Sequence, residues 1–233
     1  MNAILKNHRC RRLPLCLILC LAWLSASSSS RAEDLVPLPI TNGPPVFIGT
    51  PPNNKPDPNI DVNTNRPHFP APAGVTNVAL HKKVTSSVTN AAPEDLAKIT
   101  DGEKNSSDED NVVILHRGVQ WVQIDLGSTQ EIFAIVVWHA YDKIKVYHDV
   151  VVQVADGPDF TAAQNVRTLF NNDVENKASL GIGTNREYFE TNEGKLVDAK
   201  GAKARYVRLY SNGSTGGTFN EYTEVEVYGR PAK

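Results

Sequence analysis

Through the C-terminal two thirds of this chain, apolar side chains return every second residue. In VQIDLG (122–127), Val122, Ile124 and Leu126 alternate with Gln123 and Asp125. In YTEVEVYG (222–229), Val225 and Val227 alternate with Glu224, Glu226 and Tyr228. Successive strand side chains point to opposite faces, so this period sends one row to a core and the other to water. EIFAIVVW, DVVVQVAD and ARYVRLYS add further short runs rich in β-branched and aromatic residues, separated by Gly, Asn and Asp clusters. Only AAPEDLAKI (91–99) reads as helical. The expectation is an all-β fold: an antiparallel β-sandwich or jelly roll.

The N-terminus sets the expected compartment. Lys6, Arg9, Arg11 and Arg12 precede an apolar run of twelve residues, Leu13–Leu24, which is followed by small residues closing on Ser30-Arg31-Ala32. The run is shorter than the roughly 20 residues that span a bilayer as a helix. Residues 1–32 therefore read as a secretory signal peptide cut near Ala32, with a secreted extracellular or periplasmic product. Cys10, Cys16 and Cys20 all fall inside it, so the mature chain would hold no disulfide and no thiolate chemistry. Five of the 24 Lys/Arg and none of the 26 Asp/Glu lie there too, leaving 19 bases against 26 acids, a net charge near −7. Such a balance disfavours nucleic acid and anionic membrane surfaces as partners.

Residues 33–74 are dense in proline and asparagine and carry no periodic apolar face. Proline excludes helix interiors and central strands, so this stretch is expected to be an extended, disordered linker or stalk. The domain proper is expected over 75–230.

Six segments then fall in a recognisable order: NVALHKKVTSS (77–87), ITDGEKNSS (99–107), QWVQIDLG (120–127), VVVQVADGPDF (150–160), ARYVRLYS (204–211) and EVEVYG (224–229). Together they resemble the discoidin-like domains, also called coagulation factor 5/8 type C domains, which overlap the family 32 carbohydrate-binding modules. The resemblance implies a galactose-binding-like jelly roll with its first and last strands side by side and a recognition surface built from loops at one end. The fold serves sugars, lipids and proteins alike, so it names no ligand.

The same resemblance implies a structural calcium. Asp101 matches the aspartate of the family's D-G turn, Ser106 a Thr/Ser ligand position and Glu224 the glutamate opening the last strand. Backbone carbonyls around Lys98 and Glu103 would complete the six to eight oxygens that calcium takes. The acidic run Asp108-Glu109-Asp110 departs from the family pattern, and the competing reading is an ordinary turn beside a surface glutamate.

For the ligand, EIFAIVVW and VYHDVVVQV are expected as neighbouring strands joined by the loop HAYDKIK. Sugar recognition needs a flat ring for the apolar side of a pyranose and fixed polar groups for its hydroxyls. Trp138, His139, Tyr141, Asp142 and Lys143 offer both. Lys143 and Lys145 stand where sugar-binding relatives often carry Arg and Asn, which weakens any transfer of galactose specificity. Asn171, Asp173 and Arg186 in the long loop 170–188, and Asn220 and Tyr222 before the last strand, are further candidates.

Other chemistry finds little support. His139 and His148 are nine residues apart, at neither strand nor helix spacing for a zinc site. No G-x-S-x-G, HExxH or phosphate-binding glycine loop occurs. The reading is a secreted, non-catalytic module for an extracellular glycan or glycoprotein. A protein-adhesion or matrix-interaction module is the alternative, and phospholipid binding ranks third.

Overall fold

The computed structural model describes residues 33–46, 58–63 and 65–233. Residues 1–32, expected as a signal peptide, lie outside the described residues with their three cysteines. Three short strands come first: β1 (Leu35–Pro37), β2 (Ile60–Asp61) and β3 (Pro70–Pro72). β4 (Thr76–Asn77), β5 (Lys83–Ser86), helix α1 (Pro93–Ala97) and β6 (Val113–Arg117) follow. The body of the sheet is β7 (Gln120–His139), β8 (Val151–Ala155), β9 (Arg167–Asn171), the short β10 (Glu187–Tyr188), β11 (Lys195–Ser211) and β12 (Phe219–Pro231). The fold is all-β and antiparallel in its main sheet, as the alternation required.

The two segments expected as separate strands, VQWVQIDLG and EIFAIVVW, are one continuous strand. β7 pairs with β11 along nearly its whole length, from Ser211 opposite Gln120 to Lys195 opposite Val137. Its first half also pairs with β5, its second with β12. The register shifts between Tyr206 opposite Asp125 and Ala204 opposite Gln130. Gly127 sits at that shift with φ +86°, a conformation that a Cβ would strain. Bent strands of this kind carry the chain from one layer of a sandwich to the other. The strand order is β4-β12-β7-β11-β8-β9, with β6 added on β12. The sequence suggested β7 and β8 as neighbours; in the structure β11 lies between them. The first and last strands of the domain do pair, Tyr228 opposite Asn77.

The core fills the space between layers. Val122, Ile124, Leu126, Ile132, Ile135 and Val137 of β7 meet Val152, Val154, Val207, Leu209, Val225 and Val227. Burial of each such side chain contributes about 1.5–3 kcal/mol.

A second apolar cluster was not expected. Ala134, Val136 and Trp138 of β7 and Tyr228 of β12 form the outward row of the same strands, and Ala71, Val75 and Tyr141 pack on them. Leu38, Ile40, Val46 and Phe69 lie against this cluster. The described part of residues 33–74 is thus a cover for the sheet, which corrects the linker reading. It is extended, as its prolines demand, and it is tied down: β1 pairs with β3, Gly43 N–H donates to the Asn192 carbonyl (2.8 Å), and β2 pairs in parallel with β10. A Cβ on Gly43 would lie 2.9 Å from the Lys104 carbonyl oxygen, so only glycine admits the chain this close. Glu226, whose charge meets Arg66 of the cover, and Glu224, which takes a hydrogen bond from Gly102, are both buried where a wet face was expected.

Candidate functional site

At the end of β7 the chain turns inward. His139 is wholly buried, its Nδ1 2.6 Å from Glu190 Oε1. Its ring stacks on Tyr147 at 4.3 Å between centroids and meets Tyr222 at 4.6 Å. The Tyr222 hydroxyl lies 3.1 Å from Ser211 Oγ, and Ser211 Oγ donates to Asn220 Oδ1 (2.7 Å). Asn220 Nδ2 donates to the carbonyls of His116 (2.7 Å) and Gly118 (2.9 Å), while its Oδ1 accepts from Gly213 N (2.8 Å). One buried amide therefore joins three chain segments. Burial pushes the hydroxyls of Tyr147, Tyr188 and Tyr222 above the usual phenol range, with the Glu190 carboxylate adding to it.

This network corrects several expectations. Trp138, His139, Tyr141 and Tyr222 have no exposed ring to offer a sugar. Trp138 Nε1 donates to the Asn192 carbonyl (3.0 Å), and the Tyr141 hydroxyl donates to the Lys104 carbonyl. Burial holds that hydroxyl up at about 12. Asn220 is equally buried. These residues build the site's foundation, and a ligand reaches none of them directly.

In the long loop, Asn171 and Asp173 are likewise inward. Asp173 accepts from Lys177 N (2.9 Å) and Ala178 N (2.7 Å) through its two oxygens. Asn171 accepts from Asp173 N (2.8 Å) and donates to the Gly181 carbonyl (3.0 Å). Short polar side chains here close the loop on itself. Arg186 is exposed and stands apart from that scaffold.

What remains open lies where β6, β12 and the loop after β7 meet. Lys145 Nζ sits 2.8 Å from Asp142 Oδ1 and 2.6 Å from Glu221 Oε2, and the Tyr147 hydroxyl donates to the same Glu221 oxygen (2.8 Å). Burial opposes the charge of Lys145, yet its hydrogen bonds to Asp142 and Glu221 hold the ammonium above the usual lysine range. Lys143 beside them is 80% exposed. Two residues before Glu221, the ring of Phe219 is 42% exposed, with the Arg117 guanidinium 5.3 Å from its centre. His116 and Ile114 are exposed on the paired strand. An exposed ring with a guanidinium against it can take an apolar sugar face and a hydroxyl together.

Of the residues at this open edge, Asp142 and Lys143 were named from the sequence, whereas Phe219, Arg117 and Glu221 were not. The signal for Phe219 was available: a bulky ring directly after the flexible run STGGT, where the strand pattern has not yet begun. Nothing local marked Glu190, which reaches His139 across 51 residues.

At the calcium candidate, Glu224 is wholly buried; its Oε2 accepts from Gly102 N (3.1 Å) and its Oε1 has no hydrogen-bond partner. Burial pushes the carboxyl up to about 9 against that one bond, and Glu226 and Asp101 add to the rise. An orphaned, buried carboxylate oxygen is the feature a bound cation would satisfy. Ser106 Oγ accepts from Tyr141 N (2.8 Å) nearby. Asp101 is exposed and accepts from Glu103 N (2.8 Å), while Glu103 closes its own turn onto Lys104 and Asn105 N–H groups. The Lys98 side chain is turned to Asp95 (3.2 Å). Among the described residues no group of three or more His, Cys, Asp or Glu is poised for a metal, so carbonyls would have to supply most ligands.

No protein-family model matches the chain, and no curated protein matches it. Solved structures do. Chitosan-binding module 1 of a chitosanase/glucanase from Paenibacillus sp. IK-5 is 23% identical over 66% of this chain and 99% of its own, with a TM-score of 0.42. A Streptococcus pneumoniae fucose binding module is 23% identical over 66% and 97%, with a TM-score of 0.45. CpGH89CBM32-4 from Clostridium perfringens, solved with GlcNAc-α-1,4-galactose, is 17% identical over 68% and 96%, with a TM-score of 0.46. All are below 25% identity, so none fixes a ligand for this chain.

Proposed function

We propose that the chain is a secreted, non-catalytic binding module that recognises an extracellular carbohydrate at the surface formed by Phe219, Arg117, Asp142, Lys145 and Glu221. The observation that carries this reading is the exposed Phe219 ring, with the Arg117 guanidinium 5.3 Å from its centre, on the strand that also supplies Glu221 to the Asp142–Lys145–Glu221 ion-pair cluster. A ring for the apolar face and polar groups for the hydroxyls are the two requirements of pyranose binding. The polar groups lose little freedom on binding, because Tyr147 and Lys145 already hold Glu221. Export by residues 1–32 belongs to the same proposal, since the ligand would lie outside the cell.

A structural calcium is part of this reading. Glu224, Asp101, Ser106 and the carbonyls of Lys98 and Glu103 would hold it, and it would supply positive charge to a carboxylate that burial otherwise keeps protonated.

A glycan array probed with the purified protein tests the carbohydrate reading. Saturable binding to a defined glycan, lost in Phe219→Ala, is the expected result. Protein adhesion is the second reading, favoured by the exposed Ile114 side chain on the strand next to Phe219. Silence across the array would leave adhesion as the better account.

A further inference from the structure

The N-terminal cover does more than seal the sheet. Where it returns along β10 it leaves a cleft of about 240 Å³, walled by Asp61, Asn63, Asn65, Arg66 and Pro67 on one side and by Tyr188, Thr191 and Lys195 on the other. A cleft smaller than the usual range of about 300–1,000 Å³ for drug-sized ligands takes one small molecule or a single residue of a longer one.

Its two cations lack the carboxylate partners that several other buried or half-buried cations among the described residues have. Lys104 pairs with Glu226 (2.8 Å), Lys145 with Asp142 and Glu221, and Arg230 with Glu131 (2.7 Å). The Lys195 ammonium has no ion pair within 4.0 Å among the described residues; it rests over the rings of Tyr188 (4.8 Å) and Phe170 (5.6 Å). The Arg66 guanidinium bonds only neutral acceptors: the carbonyls of Glu193 and Ile40 (3.3 Å to the latter) and Asn42 Oδ1 (2.7 Å). Burial weakens the hold of both groups on their protons, although Asp61 works against this for Lys195 and Glu193 for Arg66. A lysine and an arginine without carboxylate partners, at the wall of a small polar cleft, form an arrangement that an incoming anion completes.

We infer that this cleft is a second ligand site, distinct from the Phe219 surface, which takes the carboxylate of a small acidic ligand on Lys195 with Arg66 assisting. Asn63, Asn65 and Thr191 can meet hydroxyls of the same ligand. The carboxylate could belong to an acidic sugar residue or to a free organic acid, and both present the same group to Lys195.

Calorimetric titration of the purified protein with D-galacturonate, D-galactose and acetate at low salt tests this. Galacturonate should saturate one site and galactose should not. Lys195→Gln should weaken that binding about 10-fold or more, the weight of one charged hydrogen bond. Lys195→Arg should retain most of it, and Phe219→Ala should leave it unchanged. Acetate binding as tightly as galacturonate would assign the cleft to free acids; acetate failing where galacturonate binds would assign it to acidic sugars. Either outcome upholds a carboxylate site. No saturation by either acid, or galacturonate binding indifferent to Lys195→Gln in a protein that melts normally, would overturn it.

Discussion

His139 Nδ1 lies 2.6 Å from Glu190 Oε1, with both side chains sealed from solvent. This bond ties the end of β7 to the segment after β10, and the ring is held between Tyr147 and Tyr222. Removing one partner strands the other in an apolar setting. His139→Ala should therefore cost roughly 2–5 kcal/mol. The double variant His139→Phe/Glu190→Leu should lose less than the single one, because no polar group is left behind. Urea denaturation of the three proteins measures both.

The described residues between 33 and 69 should behave as part of the folded domain. A chain beginning at Pro70 would bare Trp138, Tyr141 and Tyr228, on which Leu38, Ile40, Val46 and Phe69 pack. The expected result is a lower urea midpoint, red-shifted tryptophan emission and new binding of a hydrophobic dye. A truncated protein matching the full one in all three would return the segment to the status of a linker.

Glu224 makes stability depend on pH. Its carboxyl is raised to about 9 in the fold, so the folded state prefers the protonated form. That contribution is complete below the unfolded carboxyl range near 4.5 and is lost as pH rises towards 9. Metal-free protein should lose on the order of a few kcal/mol from this group across that window. Calcium should restore stability at the alkaline end, and Glu224→Gln should flatten the profile with no metal present. Thermal melts at about pH 5, 7 and 9, in chelator and in calcium, read this directly. Identical melts with and without calcium would remove the metal from the account.

Phe219→Ala should abolish glycan binding while shifting stability by no more than about 0.5–1 kcal/mol, because its ring is exposed. Tyr141→Ala should do the reverse in kind, costing about 3–5 kcal/mol through a cavity under the cover. A binding assay read beside a melt separates the two. A Phe219→Ala protein that still binds would move the site elsewhere.

Much of the fold could be read from the alternation. Val122, Ile124, Leu126, Val225 and Val227 all face the core as their period of two required. The same pattern misled at Glu224, Glu226 and Tyr228, since a strand's period says that its two faces differ and never that one of them meets water. Whether the outer face is wet depends on what covers it, and the cover comes from segments far off in the chain, as Phe69 lies from Ala134 and Gly102 from Glu224. The ligand residues failed for a related reason. His139, Tyr141 and Tyr222 have the chemistry of sugar contacts, but burial is set by packing across the sandwich.

By itself the sequence determined the strand content and the loop that carries Asp142 and Lys143 to an open edge, because these follow from side-chain period and local turn chemistry; the pairing of the domain's first and last strands was implied only by the family resemblance. Only the tertiary structure decided that the described part of the proline-rich segment packs on the body, that β11 intervenes between β7 and β8, and that Lys195 and Arg66 share a cleft. Those depend on contacts between residues far apart in the chain, and no local pattern encodes which distant surface an extended segment will cover.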